Sequence, residues 1–150
     1  MKTFETLAEL IPLVGQELAV SEWCTVSQEQ INLFAQATGD HQWIHVDPER
    51  AKAGPFGATI AHGFLTLSML PKFFESALKI VQTRMGVNYG LNKVRFTSPV
   101  PVGSRLRGHL HLHSATPIEG GLQVQWNVTI EREGSDKPVC VAESLARLYS

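Results

Sequence analysis

Residues 64–78 read FLTLSMLPKFFESAL and form a strongly apolar segment near the middle of the chain. The segment shows no solvated face before Lys72 and Glu75, so it predicts a helix that is buried on most of its sides. Because Pro71 lacks a backbone N–H and obstructs the preceding turn, we expect the helix to bend or divide there. A helix of this kind needs other elements around it.

The residues that follow change to a period of two. Apolar and polar side chains alternate through 105–113 and again through 122–131, a pattern typical of half-buried antiparallel strands. Glu119, Gly120 and Gly121 predict the turn between them. Further strands are predicted at 17–26, 87–96 and 138–148. The sequence therefore predicts an α+β fold, with an antiparallel sheet wrapped around the long central helix.

The composition is that of one globular domain spanning residues 1–150. Hydrophobic residues make up 43% of the chain and charged residues only 18%, which suggests that some surface is hidden in a dimer. The net charge of -1 gives no reason to expect nucleic acid or an anionic membrane as a partner. Cys24 and Cys140 lie far apart without a CxxC pair, and we predict that both are reduced core thiols.

No targeting or membrane segment is apparent. Residues 1–5 include an acidic residue and do not lead into a continuous apolar region, unlike a signal peptide. The apolar stretch at 64–70 is too short to span a bilayer. We therefore expect a soluble cytoplasmic protein.

A second helix and a long loop precede the apolar segment. Ser27 opens a capping box, apolar residues follow at helical spacing, and Gly39 supplies a helix stop. Residues 39–59 then form a loop, interrupted by a short helix that Asp47 caps and Pro48 opens. Loops of this length are usually functional or disordered, and the low charge here favours order.

The stretch from residue 34 to residue 51 carries a family signature. It resembles that of the MaoC-like dehydratases, the (R)-specific enoyl-CoA hydratases. The matching positions are Phe34, Thr38, Gly39, Asp40, Ile44, His45 and Ala51. The resemblance continues through AHGF at 61–64 and NKVRF at 92–96, so it covers most of the chain.

This resemblance implies a single hot-dog domain that pairs as a homodimer. It also implies an acyl-CoA thioester as substrate, Asp40 and His45 as catalytic residues, and no metal or redox cofactor. Many members have Asn-Pro where this chain has Gln42 and Trp43, a version similar to the branch of nodulation protein N. The longer amide is expected to change a hydrogen bond near the pair or the shape of the acyl pocket.

The chemistry of hydration assigns the same roles. Adding water to an unsaturated thioester needs a base, an acid, and donors that hold the enolate oxygen. Asp40 and His45 supply the first two, with the choice of acid and base left open. The amide of Gly63, at the start of the buried helix, supplies the third.

Ordinary structural roles compete with these assignments. An Asp that follows a helix-ending glycine is often only an Asx-turn residue, and a lone His is often a satisfied core group. We expect Asp47 to be purely a cap and His41 to be exposed. His62 is expected to have a packing or hydrogen-bonding role near the site.

The remaining candidates are substrate-binding residues. The acyl chain is expected along apolar residues of the helix and loop, with Trp43, Phe56 and Leu67 as candidates. Lys93 and Arg95 share one strand face and are candidates for the phosphates of coenzyme A, as are Arg105 and Arg107, although such residues are often merely solvated.

The histidines at 109, 111 and 113 share one strand face, a pattern that suggests a metal site. However, the first and last lie about 13 Å apart in a strand, too far for one ion. We therefore predict no metal there. Two other functions stay open for the chain: an acyl-CoA thioesterase on the same fold, and a non-catalytic acyl-CoA binding protein.

Overall fold

Most strands belong to one antiparallel sheet. The computed structural model describes residues 1–150. In chain order the elements are β1 (Lys2–Phe4), a 3-10 helix (Leu7–Leu13), β2 (Glu17–Val20), β3 (Cys24–Thr25), α1 (Gln28–Thr38), α2 (Trp43–Val46), α3 (Pro48–Lys52), α4 (Gly63–Ser68), α5 (Leu70–Ala77), β4 (Leu78–Ile80), β5 (Met85–Arg95), β6 (Arg105–Ile118), β7 (Gly121–Arg132) and β8 (Cys140–Tyr149). The six-stranded sheet has the order β2-β6-β7-β8-β5, with β3 also paired to β6, and β1 pairs with β4 in a separate parallel pair.

The predicted central helix consists of two consecutive helices. α4 and α5 meet at Met69, before the predicted break at Pro71, and Leu78 already belongs to β4. Pro71 lies in the first turn of α5, where its missing N–H removes no helical hydrogen bond, so the helix need not break at the proline itself. No helix of the protein is both long enough and apolar enough to cross a membrane.

The sheet packs around α5. Phe73 of α5 is fully buried, as are Leu106, Leu110 and Leu112 of β6. The ring of Phe73 lies so close to Gly108 that a Cβ atom at that glycine would stand 3.2 Å from it. These contacts confirm the predicted α+β arrangement, in which the apolar helix is the centre of the core.

The strand predicted at 17–26 is divided into β2 and β3. Ser21 lies at the division: its N–H donates to the Gly108 carbonyl at 2.9 Å, and its hydroxyl accepts from the Gly108 N–H at 2.8 Å. Because a side chain replaces the backbone as acceptor, the ladder is interrupted there. β1 and β4 were not predicted, since three-residue strands are too short to show a period.

The predicted caps of α1 and α3 are present, but the Gln30 side chain does not bond back to Ser27, so the predicted capping box is only half formed. The Ser27 hydroxyl accepts from the Gln30 N–H at 3.1 Å, and Gly39 ends α1 in the left-handed conformation with φ of 84°. The Asp47 carboxylate accepts from the Arg50 N–H at 3.1 Å and so caps α3. The loop also contains α2, which the sequence did not predict and which carries His45.

Both cysteines are free thiols. Cys140 is fully buried, and its burial raises the pKa of the thiol to about 11. Cys24 is half-buried and packs against the core. The prediction of a core thiol is therefore confirmed for Cys140, whereas Cys24 lies at the edge of the core.

Candidate active site

Three segments meet at the beginning of α4: the loop after α1, the short helix α2, and residues 59–62. The Ile60 N–H donates to the Ile44 carbonyl at 3.0 Å, and the Ala61 N–H donates to the Val100 carbonyl at 2.8 Å. These bonds hold residues 59–62 between α2 and the segment that leads into β6.

Asp40, His45 and His62 form a cluster, which we call the catalytic cluster after the roles predicted for Asp40 and His45. One polar side-chain atom of each lies within 4.8 Å of those of the other two. His45 is 6% exposed and His62 is 2% exposed, whereas Asp40 is open to solvent. The fold thus brings the two predicted catalytic residues together and places His62 beside them.

A backbone carbonyl determines the tautomer of His45. Its Nδ1 lies 2.7 Å from the Ile60 oxygen, which can only accept, so Nδ1 carries the proton and donates. In the neutral ring Nε2 is therefore the bare nitrogen. It has no partner within the protein and is not sealed from solvent, so it is free to take a proton from a bound molecule.

The surroundings of His45 favour its neutral form. Burial is the main reason that the pKa of His45 lies below its ordinary value of 6.5. The hydrogen bond to Ile60 opposes this shift, His62 adds to it, and Asp40 opposes it. The result is an imidazole that keeps a lone pair on Nε2 at neutral pH.

The Asp40 loop is held by two hydrogen bonds. The Asp40 carboxylate accepts from the Gln42 N–H at 3.3 Å, and its backbone carbonyl accepts from Nε2 of His62 at 3.0 Å. The left-handed Gly39 turns the chain just before these contacts. Asp40 does occupy an Asx-type turn, but its second carboxylate oxygen stays available.

Gln28 is a residue of the site that the sequence did not indicate. Its amide nitrogen donates to the His45 carbonyl at 2.8 Å, and its amide oxygen accepts from the Thr59 hydroxyl at 2.5 Å. One side chain at the start of α1 thus joins two of the three segments. In the sequence, its position directly after the Ser27 cap predicts a helix and does not indicate a role in the site.

Gly63 is the first residue of α4, and its N–H has no acceptor within the helix. The ring of Phe96 packs against it so closely that a Cβ atom would stand 2.7 Å away. The position therefore has room for glycine only, unless Phe96 moves. Gly63, the predicted oxyanion donor, directly follows His62 of the catalytic cluster in the chain.

A comparison with known families identifies the family of the chain. Residues 10–132 match the family described as "MaoC like domain". The chain belongs to this family. The expected family is thereby confirmed.

Relatives of the MaoC-like protein cover nearly its whole length. It is 53% identical over 148 residues to 3-hydroxyacyl-thioester dehydratase Z of Mycobacterium tuberculosis, covering 98% of each chain. It is 48% identical over 144 residues to nodulation protein N of Rhizobium meliloti, covering 94% of this chain and 89% of the relative. An unliganded (R)-hydratase from Pseudomonas aeruginosa has the same hot-dog fold, with a TM-score of 0.72, 23% identity, and coverage of 91% and 82%.

An apolar groove of the MaoC-like protein runs along the central helices beside β5. Two adjoining cavities of about 370 and 420 Å³ form it, sharing Leu70, Pro71, Asn88 and Ser144 in their walls. Phe64 and Leu67 line the end near Gly63. At the other end Phe74 and Trp126 meet edge to face, with their ring centroids 5.2 Å apart.

The other predicted binding residues differ in their surroundings. Gln42 precedes α2 and contributes its backbone N–H to Asp40. The Trp43 ring packs on Gly54 beneath the Arg50 guanidinium, which lies 4.4 Å from the ring centroid. Phe56 is exposed, and neither aromatic residue lines the groove, whereas Leu67 does. Lys93 and Arg95 are exposed on β5.

The catalytic cluster has the residue types of a metal site, but its ring geometry is unsuited to one. The His45 and His62 rings stack with centroids 3.9 Å apart and planes inclined by 23°. A metal ion lies in the plane of each imidazole that binds it, at about 2.1 Å. Because the two ring planes are nearly parallel and their centroids are 3.9 Å apart, no point about 2.1 Å from a nitrogen of each ring lies in both planes.

The histidines predicted on one face of β6 lie on the outer side of the sheet. The two nitrogens of His109 lie 3.1 Å from Glu17 and 2.6 Å from Glu131, and Arg107 donates to Glu131 at 2.7 Å. We call these four residues the outer-face group. His111 donates to the Gly15 carbonyl at 3.0 Å, its Nδ1 is buried without a partner, and His113 is exposed.

Proposed function

We propose that the protein interconverts trans-2-enoyl-CoA and (R)-3-hydroxyacyl-CoA, with Asp40 and His45 as its acid-base pair. That the chain is a hydro-lyase follows from its family and from its 53% identity to a dehydratase. The observation that carries the residue assignment is the bare, unpartnered Nε2 of His45, in a ring that has a nitrogen within 4.8 Å of an Asp40 carboxylate oxygen.

The catalytic cluster supports a simple scheme for the two proton transfers of hydration. During hydration the oxygen of water bonds to C3, and the electrons of the double bond move toward the thioester carbonyl to form an enolate. His45 Nε2 takes the proton that water loses. The imidazolium then returns this proton to C2, and the Asp40 carboxylate in the same cluster stabilises the positive charge that the ring carries between the two transfers.

The enolate oxygen needs hydrogen-bond donors, and the start of α4 supplies one. The Gly63 N–H has no acceptor in the helix, and the positive end of the helix dipole favours an anion. We assign this N–H to the thioester oxygen. A donor that is already in position requires no rearrangement as charge develops.

The groove beside α4 and α5 is the proposed site of the acyl chain. It begins at Phe64, directly after the proposed oxyanion donor, and its walls are mostly apolar along the helices. Its far end is closed in part by the Phe74 and Trp126 pair. Coenzyme A would then leave along β5, where Lys93 and Arg95 are exposed to meet its phosphates.

A homodimer that pairs through β5 is part of the proposal. β5 is an edge strand of eleven residues, and its exposed apolar side chains include Val87, Tyr89 and Leu91. Phe64, which is 69% exposed, adds to this surface. A long apolar edge is a ready template for another strand, and a second copy would cover it. Sedimentation of the wild type and of Leu91→Lys tests this: a monomeric wild type would disprove the dimer.

The reaction is tested by mixing the pure protein with crotonyl-CoA and following the loss of the conjugated absorbance. Chiral analysis of the product should give the (R) isomer. Absence of hydration by folded protein across several chain lengths would overturn the proposal. Release of free thiol from a saturated acyl-CoA would identify a thioesterase, and tight binding without turnover a binding protein.

A further inference from the structure

We propose that His62 is a positioning residue, which fixes the backbone of Asp40 and the ring of His45 relative to each other. The inference rests on the proposed hydration reaction and adds a residue to it. His62 does not contact the substrate in this scheme. It acts through the two residues that do.

The first contact is with Asp40. Nε2 of His62 lies 3.0 Å from the Asp40 carbonyl, which can only accept, so this nitrogen carries the proton and donates. Asp40 is otherwise part of an exposed loop. A bond from a side chain that is 2% exposed therefore anchors an exposed catalytic residue to the core.

The second contact is with His45. The two imidazoles stack with centroids 3.9 Å apart, and Phe34 packs against His62 at a centroid distance of 4.8 Å. This packing restricts rotation of the His45 ring. Together with the bond from His45 Nδ1 to Ile60, it leaves Nε2 aimed in one direction.

The unused nitrogen of His62 argues against a purely structural role. Nδ1 is buried and has no hydrogen-bond partner. An unpaired buried acceptor is unfavourable for folding, and an apolar ring of similar size would avoid it. The presence of an imidazole at this position is explained by the hydrogen bond that its other nitrogen, Nε2, donates to the Asp40 carbonyl.

His62 also affects the charge state of His45. The titratable groups that face His45 are Asp40, from the loop after α1, and His62, from the residue before α4. His62 lowers the pKa of His45, as burial does more strongly. A side chain that cannot be protonated lacks this contribution, so the pKa of His45 should rise when His62 is replaced by one.

The experiment compares His62→Gln and His62→Phe with His41→Gln, a matched control at an exposed neighbouring histidine. Phe keeps the stack but cannot donate to Asp40, so kcat should fall about 10- to 100-fold, with little change in KM. Gln keeps a donor and should recover part of that loss. In both variants the acidic limb of kcat/KM should move to higher pH.

The proposal is overturned if folded His62→Phe, or folded His62→Gln should the former not fold, keeps the wild-type kcat and acidic limb. An NMR titration of the His45 ring supplies a second readout that needs no activity. A wild-type protein without hydratase activity would refute the proposed function alone. A His45 titration that is unchanged in His62→Gln would refute the inference about His62.

Discussion

The protein has two groups that combine histidine with carboxylates, and they differ in what their nitrogens contact. In the catalytic cluster, His45 and His62 each donate one N–H to a backbone carbonyl, and the other nitrogen has no partner. In the outer-face group, both nitrogens of His109 lie within hydrogen-bonding distance of carboxylates.

The difference separates the chemical role that we propose for His45 from the structural role of His109. A nitrogen beside a carboxylate already has a partner for its proton, so it is a poor base for a substrate. A ring whose one N–H is held by a carbonyl has a defined tautomer and a free lone pair. The type of partner, rather than the presence of His and Glu or Asp, therefore distinguishes His45 from His109.

The largest expected effect comes from the reactive atoms themselves. Asp40→Asn and His45→Gln should each lower kcat/KM for crotonyl-CoA hydration roughly 10²- to 10⁴-fold, because general acid and base groups contribute about that much. His109→Gln should leave kcat/KM near the wild-type value. If the His109 variant lost as much activity, the distinction between the two groups would be wrong.

A smaller effect is expected from the support of the cluster. Gln28→Leu removes the donor to the His45 carbonyl and the partner of the buried Thr59 hydroxyl. Leaving such groups unpaired should lower the free energy of unfolding by about 1–3 kcal/mol, as measured by urea denaturation. Gln36→Leu, an exposed position on the same helix, is the control and should change stability little.

The pH dependence of hydration should follow His45. Because the pKa of His45 lies below 6.5, the ring stays neutral down to that pH, and kcat/KM should be steady there. As the pH falls through the pKa, protonation of Nε2 removes the lone pair, and the rate should drop about tenfold per unit. An acidic limb centred above pH 6.5 would contradict the assignment.

The smallest effect is expected in the outer-face group. Hydrogen bonds from Arg107, and then from His109, lower the pKa of Glu131 below its ordinary 4.5. Its contribution to stability is therefore present above that pH and is lost as the pH falls through the lowered pKa. Since the residues are about one-third exposed, Glu131→Gln should cost less than about 1 kcal/mol at neutral pH.

Comparing the urea unfolding of Glu131→Gln and wild type at pH 7 and pH 4 tests the direction of this pH dependence. The difference from wild type should shrink at the lower pH, where the carboxylate begins to be protonated. Glu119→Gln, in an exposed turn, is the matched control. A difference that grows on acidification would show that the pair does not stabilise the fold through charge.

Much of the fold was predictable because its signals are local. The apolar run at 64–78 and the alternation at 105–113 and 122–131 depend on spacings of a few residues. The caps at Ser27 and Asp47 are set by side chains that reach only the next turn. The signature placed Asp40 and His45 together for the same reason, since only a short loop separates them.

The site beyond that pair depends on contacts between distant parts of the chain. The bond from His45 to Ile60 spans 15 residues, that from Gln28 to His45 spans 17, and that from His62 to Asp40 spans 22. No local pattern specifies which carbonyl an imidazole will meet. The sequence by itself determined the main helices and the long strands, because hydrophobic spacing and local caps encode them, and the family resemblance indicated the Asp40 and His45 pair. Only the tertiary structure decided which nitrogen of each histidine is free, because that depends on the backbone groups that packing brings to the ring.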